Sequence, residues 1–416
     1  MKVFKFGGAS VKSAEAVRNV AEIIGEYQNQ KIVLVISAMG KITNALEKLL
    51  NLRSSEIDSS IADIERFHLD IINKLFSDSN SPIYPRINTA FEQLRKIIAA
   101  DIENQQKRYA SVVGFGELFS TIIVNQYLQY LGFKSIWVAA GDIITTENKC
   151  VDAEVIWDKS IQKIKSELHS LFVDNTIIVT QGFIAKTDNG DDSTLGREGS
   201  DYSAAIIANA IDAEDLTIWK DVPGLLNADP KYFDNTQKID IISYRETIEL
   251  AYYGASIIHP KTIQPLKKKT IPLYIKSFIS PHESGTIVQQ DAFADSLIPS
   301  YIFKKNQVII SISARDFSFI AEDKLSIIFD KLNQYNLKVN LMQNSAISFS
   351  ICIDNKGETV HNFIIDMQKT FKVKYNDDIE LITIQNYNQD VIDELIGNRD
   401  VFLEQKSRTT VQLLVR

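Results

Sequence analysis

Between Gln181 and Pro230 two apolar runs each end in a loop of glycine, charged and hydroxyl residues. A chain that repeats this ending is constrained to a sheet of parallel strands whose carboxyl ends carry the chemistry. The first run, residues 176–180, breaks at Gly182-Phe183, opens an Asp-rich loop and closes with Gly196-Arg197-Glu198-Gly199-Ser200-Asp201. A helical pattern over residues 202–211 follows. Glycines, hydroxyls and charges at a helix N-terminus suit an anionic ligand, because unpaired N–H groups and the positive dipole end point at it. The second run, residues 216–219, leads into Lys220-Asp221-Val222-Pro223-Gly224 and then Ala228-Asp229-Pro230.

The chain opens in the same way. Residues 3–6 read as a strand that enters Gly7-Gly8-Ala9-Ser10 and a helix over residues 13–24. Glycines let backbone N–H groups approach a phosphate, and Lys5 adds a point charge. A Gly-Gly after a strand also serves as an ordinary tight turn, and the chain has no G-x-x-x-x-G-K-[ST] loop or dinucleotide fingerprint. A fourth ending, residues 33–37 followed by Ala38-Met39-Gly40 and Ile42-Thr43-Asn44, adds Ser37 to the phosphate candidates.

At 416 residues the chain exceeds what one core supports, so two or more domains are expected. A net charge of −8 and a pI near 5.3 argue against nucleic acid or an anionic membrane as partner. The chain enters a strand directly, without a signal-peptide layout. No apolar run approaches the ~20 residues of a membrane span, so a cytoplasmic protein is expected. Cys150 and Cys352 stand in no metal or redox spacing, the five histidines form no cluster, and no protein-held metal is expected. His259-Pro260 reads as the end of a helical turn.

From residue 1 to 296 strand endings alternate with helical patterns, the mark of an α/β sandwich around a mostly parallel sheet. Residues 54–107 depart from it. Ile57, Ile61, Ile64, Phe67, Ile71 and Leu75 recur at helical spacing, Pro82 and Pro85 break the run, and Phe91, Leu94, Ile97 and Ile98 resume it. A helical insertion is expected, then a helix after Gly114-Phe115-Gly116 with Leu118, Ile122, Tyr127 and Leu128 inward. Beyond Pro299 short elements alternate as a βαββαβ unit over 300–377. A βαββ series over 378–416 follows, short of a final helix and strand.

The strings Lys5-Phe6-Gly7-Gly8-Ala9-Ser10-Val11, Ile42-Thr43-Asn44, Gly116-Glu117, Gln181-Gly182-Phe183, Gly196 to Tyr202, Asp221-Val222-Pro223-Gly224 and Asp229-Pro230 stand in the order and spacing of aspartate kinases. By these motifs the whole chain resembles that group within the amino acid kinase fold family. The resemblance implies a three-layer α/β sandwich with a mostly parallel sheet, followed by tandem ferredoxin-like α+β ACT domains. It implies ATP-dependent, Mg2+-assisted phosphorylation of the L-aspartate side chain, the entry to lysine, threonine and methionine synthesis. It also implies homo-oligomers formed through the ACT units.

An aspartate carboxylate, with a pKa near ~3.9, is already an ionised nucleophile at neutral pH. The task left to the protein is positioning and charge neutralisation. Lys5 is the candidate for stabilising the transferring group, with Gly7, Gly8 and Ser10 donating to phosphate oxygens and Asp201 orienting Lys5. An N-cap is the alternative for Asp201. Arg197, with Ser200, suits the substrate α-carboxylate through its planar fork. By resemblance Glu117 pairs with the α-ammonium and Thr43 helps orient the amino acid, although each also fits a helix cap. Lys220, Asp221, Asp229 and Lys231 are expected to hold ATP. Lys220 stands where the family often has threonine, Leu226 where it has tyrosine and Lys231 where it has arginine. Ser256 replaces a frequent lysine, for which nearby Lys261 is the candidate substitute. Asp188, Asp191 and Asp192 read as a solvated mobile loop rather than a metal site.

In lysine-sensitive members the effector lies near a strand resembling residues 338–346, and acidic residues at the positions of Asn340 and Ala346 pair with its ammonium groups. Here both charges are missing, so lysine alone is expected to inhibit poorly; Asn340, Asn344 and Ser345 are the effector candidates. Two alternatives stay open, another amino acid kinase and a catalytically silent amino-acid sensor. The full Gly196 to Asp201 string and the ACT-like tail weigh against the first. Lys5, Glu117, Arg197 and Asp201 together weigh against the second.

Overall fold

The computed structural model describes residues 1–27, 29–172, 176–233, 235–255, 258–291, 298–316 and 318–416. Ser256 therefore lies outside the described residues. The chain divides into two compact units. One holds Met1–Leu225, Lys238–Ile248 and Ser256–Ala292, and the other holds Leu226–Gln237, Glu249–Ala255 and Phe293–Arg416.

The first unit is built on an eight-stranded sheet. Its strands are β1 (Lys2–Phe6), β2 (Ile32–Ile36), β3 (Ser135–Val138), β4 (Ile177–Gln181), β5 (Asp215–Lys220), β6 (Ile241–Ser243), β7 (Leu273–Ser277) and β8 (Thr286–Gln289), in the order β6-β8-β7-β5-β1-β2-β4-β3. Every pairing is parallel except β7 with β8. The central strands read as unbroken apolar runs because both faces are covered; all five residues of β2 are buried.

Helices α1 (Ala14–Gly25), α2 (Ile42–Leu49), α3 (Ser54–Leu75), α4 (Ile83–Ala99), α5 (Gln105–Val113) and α6 (Phe115–Tyr130) follow the first two strands. The expected helical insertion is α3 to α5. Its break lies before Ile83, and Pro85 sits within the first turn of α4, where a missing N–H costs no intrahelical bond. In α6 the buried face runs through Phe119, Ile123, Val124, Tyr127 and Leu128, and half-buried Leu118 and Ile122 pack against the same core, as expected of the inward set. The insertion packs its apolar stripes into one core with α1, α2 and α6. At its centre His68 is fully buried, its ring 5.0 Å from Phe119 and 5.9 Å from Phe91.

Two expectations are corrected. The Asp-rich loop is a hairpin of Ile184–Thr187 and Asp192–Thr194, joined by Thr145–Thr146. Its acids are tied down: Asp188 to Lys159, Asp191 to Lys107, and Asp192 accepting from Ser111 Oγ. His259-Pro260 begins a helix, Pro260–Lys268, with His259 Nδ1 accepting from Lys261 N and Pro260 at its first position.

The second unit carries a six-stranded antiparallel sheet of β9 (Ser300–Ser313), β10 (Val339–Asn344), β11 (Ser348–Asp354), β12 (Lys372–Gln385), β13 (Val401–Lys406) and β14 (Thr410–Val415), ordered β10-β11-β9-β12-β14-β13. The separate strands expected before and after residue 377 are one 14-residue strand, β12. Its partner β9 is also 14 residues long, and residues 300–304 pair with 381–385. That segment supplies a strand the 378–416 series lacks. The backbone kinks between the two halves where Asn306 and Asp378 take φ of 55°, a conformation that Asn and Asp tolerate. Helices α7 (Glu322–Gln334) and α8 (Glu358–Thr370) cover the first half, and α9 (Gln389–Ile396) packs on the second.

Among the described residues no helix is long and apolar enough to cross a membrane. Cys150 and buried Cys352 are free thiols.

Candidate active site

The site lies at the carboxyl ends of β1, β2, β4 and β5, where the chain leaves the sheet through its short polar loops. Lys5 ends in contact with Asp201, Nζ to Oδ1 2.5 Å, and Lys220 Nζ stands 3.7 Å from the other oxygen, Oδ2. The Asp201 side chain is 4 % exposed, and those of Lys5 and Lys220 are 10 % and 23 % exposed. Burial alone would raise the Asp201 carboxyl, but the two lysines offset it and hold the group below its ordinary value. Asp201 lies in the first turn of the helix Gly199–Ala210, whose cap position is Glu198. Asp201 is therefore not the cap; its carboxylate faces lysines.

The glycines have steric causes. A Cβ on Gly8 would lie 2.8 Å from the Ala38 carbonyl oxygen and 2.9 Å from that of Gly40. Gly40 N donates to Gly8 O at 3.0 Å, so the loops after β1 and β2 touch backbone to backbone. Ser10 is buried, with Oγ donating to Trp219 O at 3.4 Å, and Ser37 N donates to Phe6 O at 3.1 Å. Three strand endings are thus stitched together: Gly7, Gly8 and Ser10 from β1, Ser37 after β2, and Lys220 from β5. On Gly182 a Cβ would lie 2.4 Å from Ser200 Cβ, so only glycine lets β4's loop approach that helix start.

Glu117, in the first turn of α6, is 3 % exposed and does not cap its own helix. Its Oε1 accepts from Ala38 N at 3.2 Å, and among the described residues Oε2 has no hydrogen-bond partner. Burial pushes the carboxyl up to about 8, against the opposing pull of the Ala38 N–H and Lys5. This acid, facing a loop of the site with one oxygen unused, is suited to an incoming ammonium. Thr43 lies half-buried in the first turn of α2. Arg197 is exposed and has no partner among the described residues, and Ser200 is buried as the second residue of the helix Gly199–Ala210.

Other candidates fall elsewhere. Lys261 donates to Asp152 Oδ1 at 2.8 Å. That carboxylate would lie 2.2 Å from a Cβ on Gly196, so Lys261 is placed beside the Arg197 loop, not on Asp201. Asp221 is exposed after β5. Asp229 and Lys231 belong to the second unit, where Asp229 Oδ1 accepts from Lys231 N at 2.9 Å. Asn340 is already engaged: it accepts from Lys304 Nζ at 2.9 Å and donates at 2.8 Å to both Gln307 Oε1 and Asp354 Oδ1. Ser345 Oγ bonds Ser348 Oγ at 2.8 Å, and Asn344 ends β10. Among the described residues no cluster of His, Cys, Asp or Glu suits a metal ion. The contact of Lys220 with Asp201 escaped the sequence reading, because it depends on β5 lying beside β1 although 209 residues separate Ser10 from Trp219.

An α/β sandwich with glycine-lined strand endings and a buried lysine–aspartate pair describes a class of phosphate-handling folds, and the amino acid kinase family model matches residues 1–277. The chain belongs to the amino acid kinase family. It is 30% identical over 368 residues to the chloroplastic aspartokinase 1 of Arabidopsis thaliana, covering 85% of this chain and 63% of that relative's length. It is 27% identical over 406 residues to the lysine-sensitive aspartokinase 3 of Escherichia coli, covering 92% and 86%. Its fold matches E. coli aspartokinase III in complex with aspartate and ADP at a TM-score of 0.81 and 24% identity, covering 100% of this chain and 96% of that one.

Proposed function

We propose that this chain is an ATP-dependent aspartate kinase. The observation that carries the reading is Lys5 held on buried Asp201 beside the Gly7-Gly8 loop. The similarity to aspartokinases, one of them in complex with aspartate and ADP, supplies the substrate.

In this reading a side-chain carboxylate oxygen of L-aspartate attacks the γ-phosphorus of ATP, the bond to the β,γ-bridging oxygen breaks, and 4-phospho-L-aspartate and ADP leave. No proton has to be removed. The work is to bring two anions together, and fixed cations and N–H groups do this without reorganising during the reaction. Lys5 neutralises charge on the phosphoryl oxygens, while Gly7, Gly8, Ser10 and Ser37 present donors around them. Lys220, Asp221 and Lys261 are the residues for the nucleotide. Arg197 and Ser200 hold the substrate α-carboxylate, and Glu117 and Thr43 receive its ammonium end. Mg2+ would be carried on the phosphates, where it spreads the negative charge. A homo-oligomer formed through the second unit and a cytoplasmic setting complete the reading.

The test is ATP consumption by the purified chain with a panel of amino acids, trapping any acyl phosphate with hydroxylamine. Hydroxamate formed with L-aspartate alone is the expected result. Turnover with another acid, or with none, overturns the reading.

A further inference from the structure

The strand register sets Lys5 opposite Ile218. Side chains alternate along a strand, so Lys220, two residues on, projects to the same face of the sheet as Lys5. The residue between them shows the other face: Trp219 stacks on Phe6 at 5.8 Å and carries Lys276 Nζ at 5.3 Å from its ring. Of the lysines near the ends of these neighbouring strands, Lys5 and Lys220 thus meet on Asp201 and Lys276 is turned away. Two ammonium groups against one carboxylate leave this trio at +1. Glu117 does not cancel it at neutral pH, since burial keeps that carboxyl largely protonated. A pair made only for stability needs one lysine; a second, at 3.7 Å and more exposed, is suited to an arriving anion.

We propose that Lys220 acts in the chemical step as a second phosphoryl-directed lysine, yoked to Lys5 through Asp201, rather than merely adding affinity for nucleotide. The inference rests on the kinase reading and deepens it. As the bond to the bridging oxygen breaks and the bond to aspartate forms, the N–H groups of Lys220 take up charge on the oxygens in transit. Such a group acts more strongly on the transition state than on the bound substrate.

The experiment compares the full chain with Lys220→Ala and Lys220→Gln, the latter keeping a polar side chain of similar reach should the alanine variant fail to fold. Hydroxamate formation gives kcat, and calorimetry with ADP gives nucleotide affinity. The expected result is a fall in kcat of about a hundredfold with ADP affinity within about threefold, and partial recovery of Lys220→Ala by added ethylamine, a readout that a structural role would not move. A kcat within about threefold of wild type, or a loss carried wholly by ADP affinity, overturns the inference while leaving the kinase reading intact. A wild-type chain that makes no hydroxamate with aspartate overturns both.

Discussion

Each unit holds a lysine in a partly buried polar network, and the two networks are built differently. In the first, Lys5 and Lys220 face a charged carboxylate, Asp201, and the group of three keeps a positive charge at the mouths of the strands. In the second, Lys304 donates to the neutral amide of Asn340, which is itself locked to Gln307 and Asp354. Burial there lowers the Lys304 pKa, and Asp354 only partly opposes it. A closed network whose donors and acceptors already serve one another leaves little for a ligand to gain. An open one with surplus charge is built to receive an anion.

The largest expected effect tests the open network. Lys5→Ala should lower kcat by about a thousandfold while ADP affinity by calorimetry changes only modestly; near-normal kcat would remove Lys5 from the mechanism. Next comes the closed network. A hydrogen bond to a charged group contributes roughly 1.5–3 kcal/mol, so replacing two acids by Asn340 and Ala346 should weaken lysine binding by on the order of a hundredfold. Inhibition assays with lysine and threonine, singly and together, check this, and strong inhibition by submillimolar lysine alone would refute it. Arg197→Ala should raise the aspartate KM by about tenfold to a hundredfold, and Arg197→Lys should not restore it. A raised ATP KM with an unchanged aspartate KM would move Arg197 to the nucleotide.

Glu117 sharpens the contrast through pH. Its carboxyl, at about 8, is neutral below that pH in the free enzyme and must ionise to pair with an ammonium. The aspartate KM should fall by up to about tenfold per unit as pH rises toward 8 and then level off; Glu117→Gln should abolish that slope. The smallest effect separates the units in acid. Burial pushes His68 down to about 4, so the unfolded chain takes up a proton first and stability is lost as pH falls from about 6.5 to about 4. At pH 6 the loss is about 1 kcal/mol, growing to about 3 kcal/mol by pH 4. Urea unfolding of His68→Leu should show this pH slope removed; an unchanged slope would assign the acid response to other groups.

Much of the first unit was legible because each motif is local: a strand, a glycine turn and a helix start fall within one stretch of sequence. Lys5, Gly8 and Asp201 could be read that way. What could not be read depends on partners distant in the chain. The need for glycine at position 182 comes from Ser200, and the role of Lys220 from a strand order placing β5 beside β1. The Asp-rich stretch is solvent-exposed over residues 188–190, as read, but the hairpin and the ion pairs that tie it down were not legible because the counter-ions, Lys107 and Lys159, come from distant helices. In the second unit the elements were recognisable, but polar residues at 376–378 looked like a turn. They lie on a strand that stays paired through its irregularity with β9.

The continuity of β9 and β12 makes the antiparallel sheet a single girder. Each half has a hydrophobic cluster of its own, a further cluster joins Leu341 and Cys352 to Leu381 and Leu414, and two backbones run through both halves. A chain cut at residue 377 would leave each fragment an unpaired edge, exposing apolar surface and inviting association. Loosening of one half should strip hydrogen bonds from the other, so amide exchange across the two should report one cooperative opening rather than two.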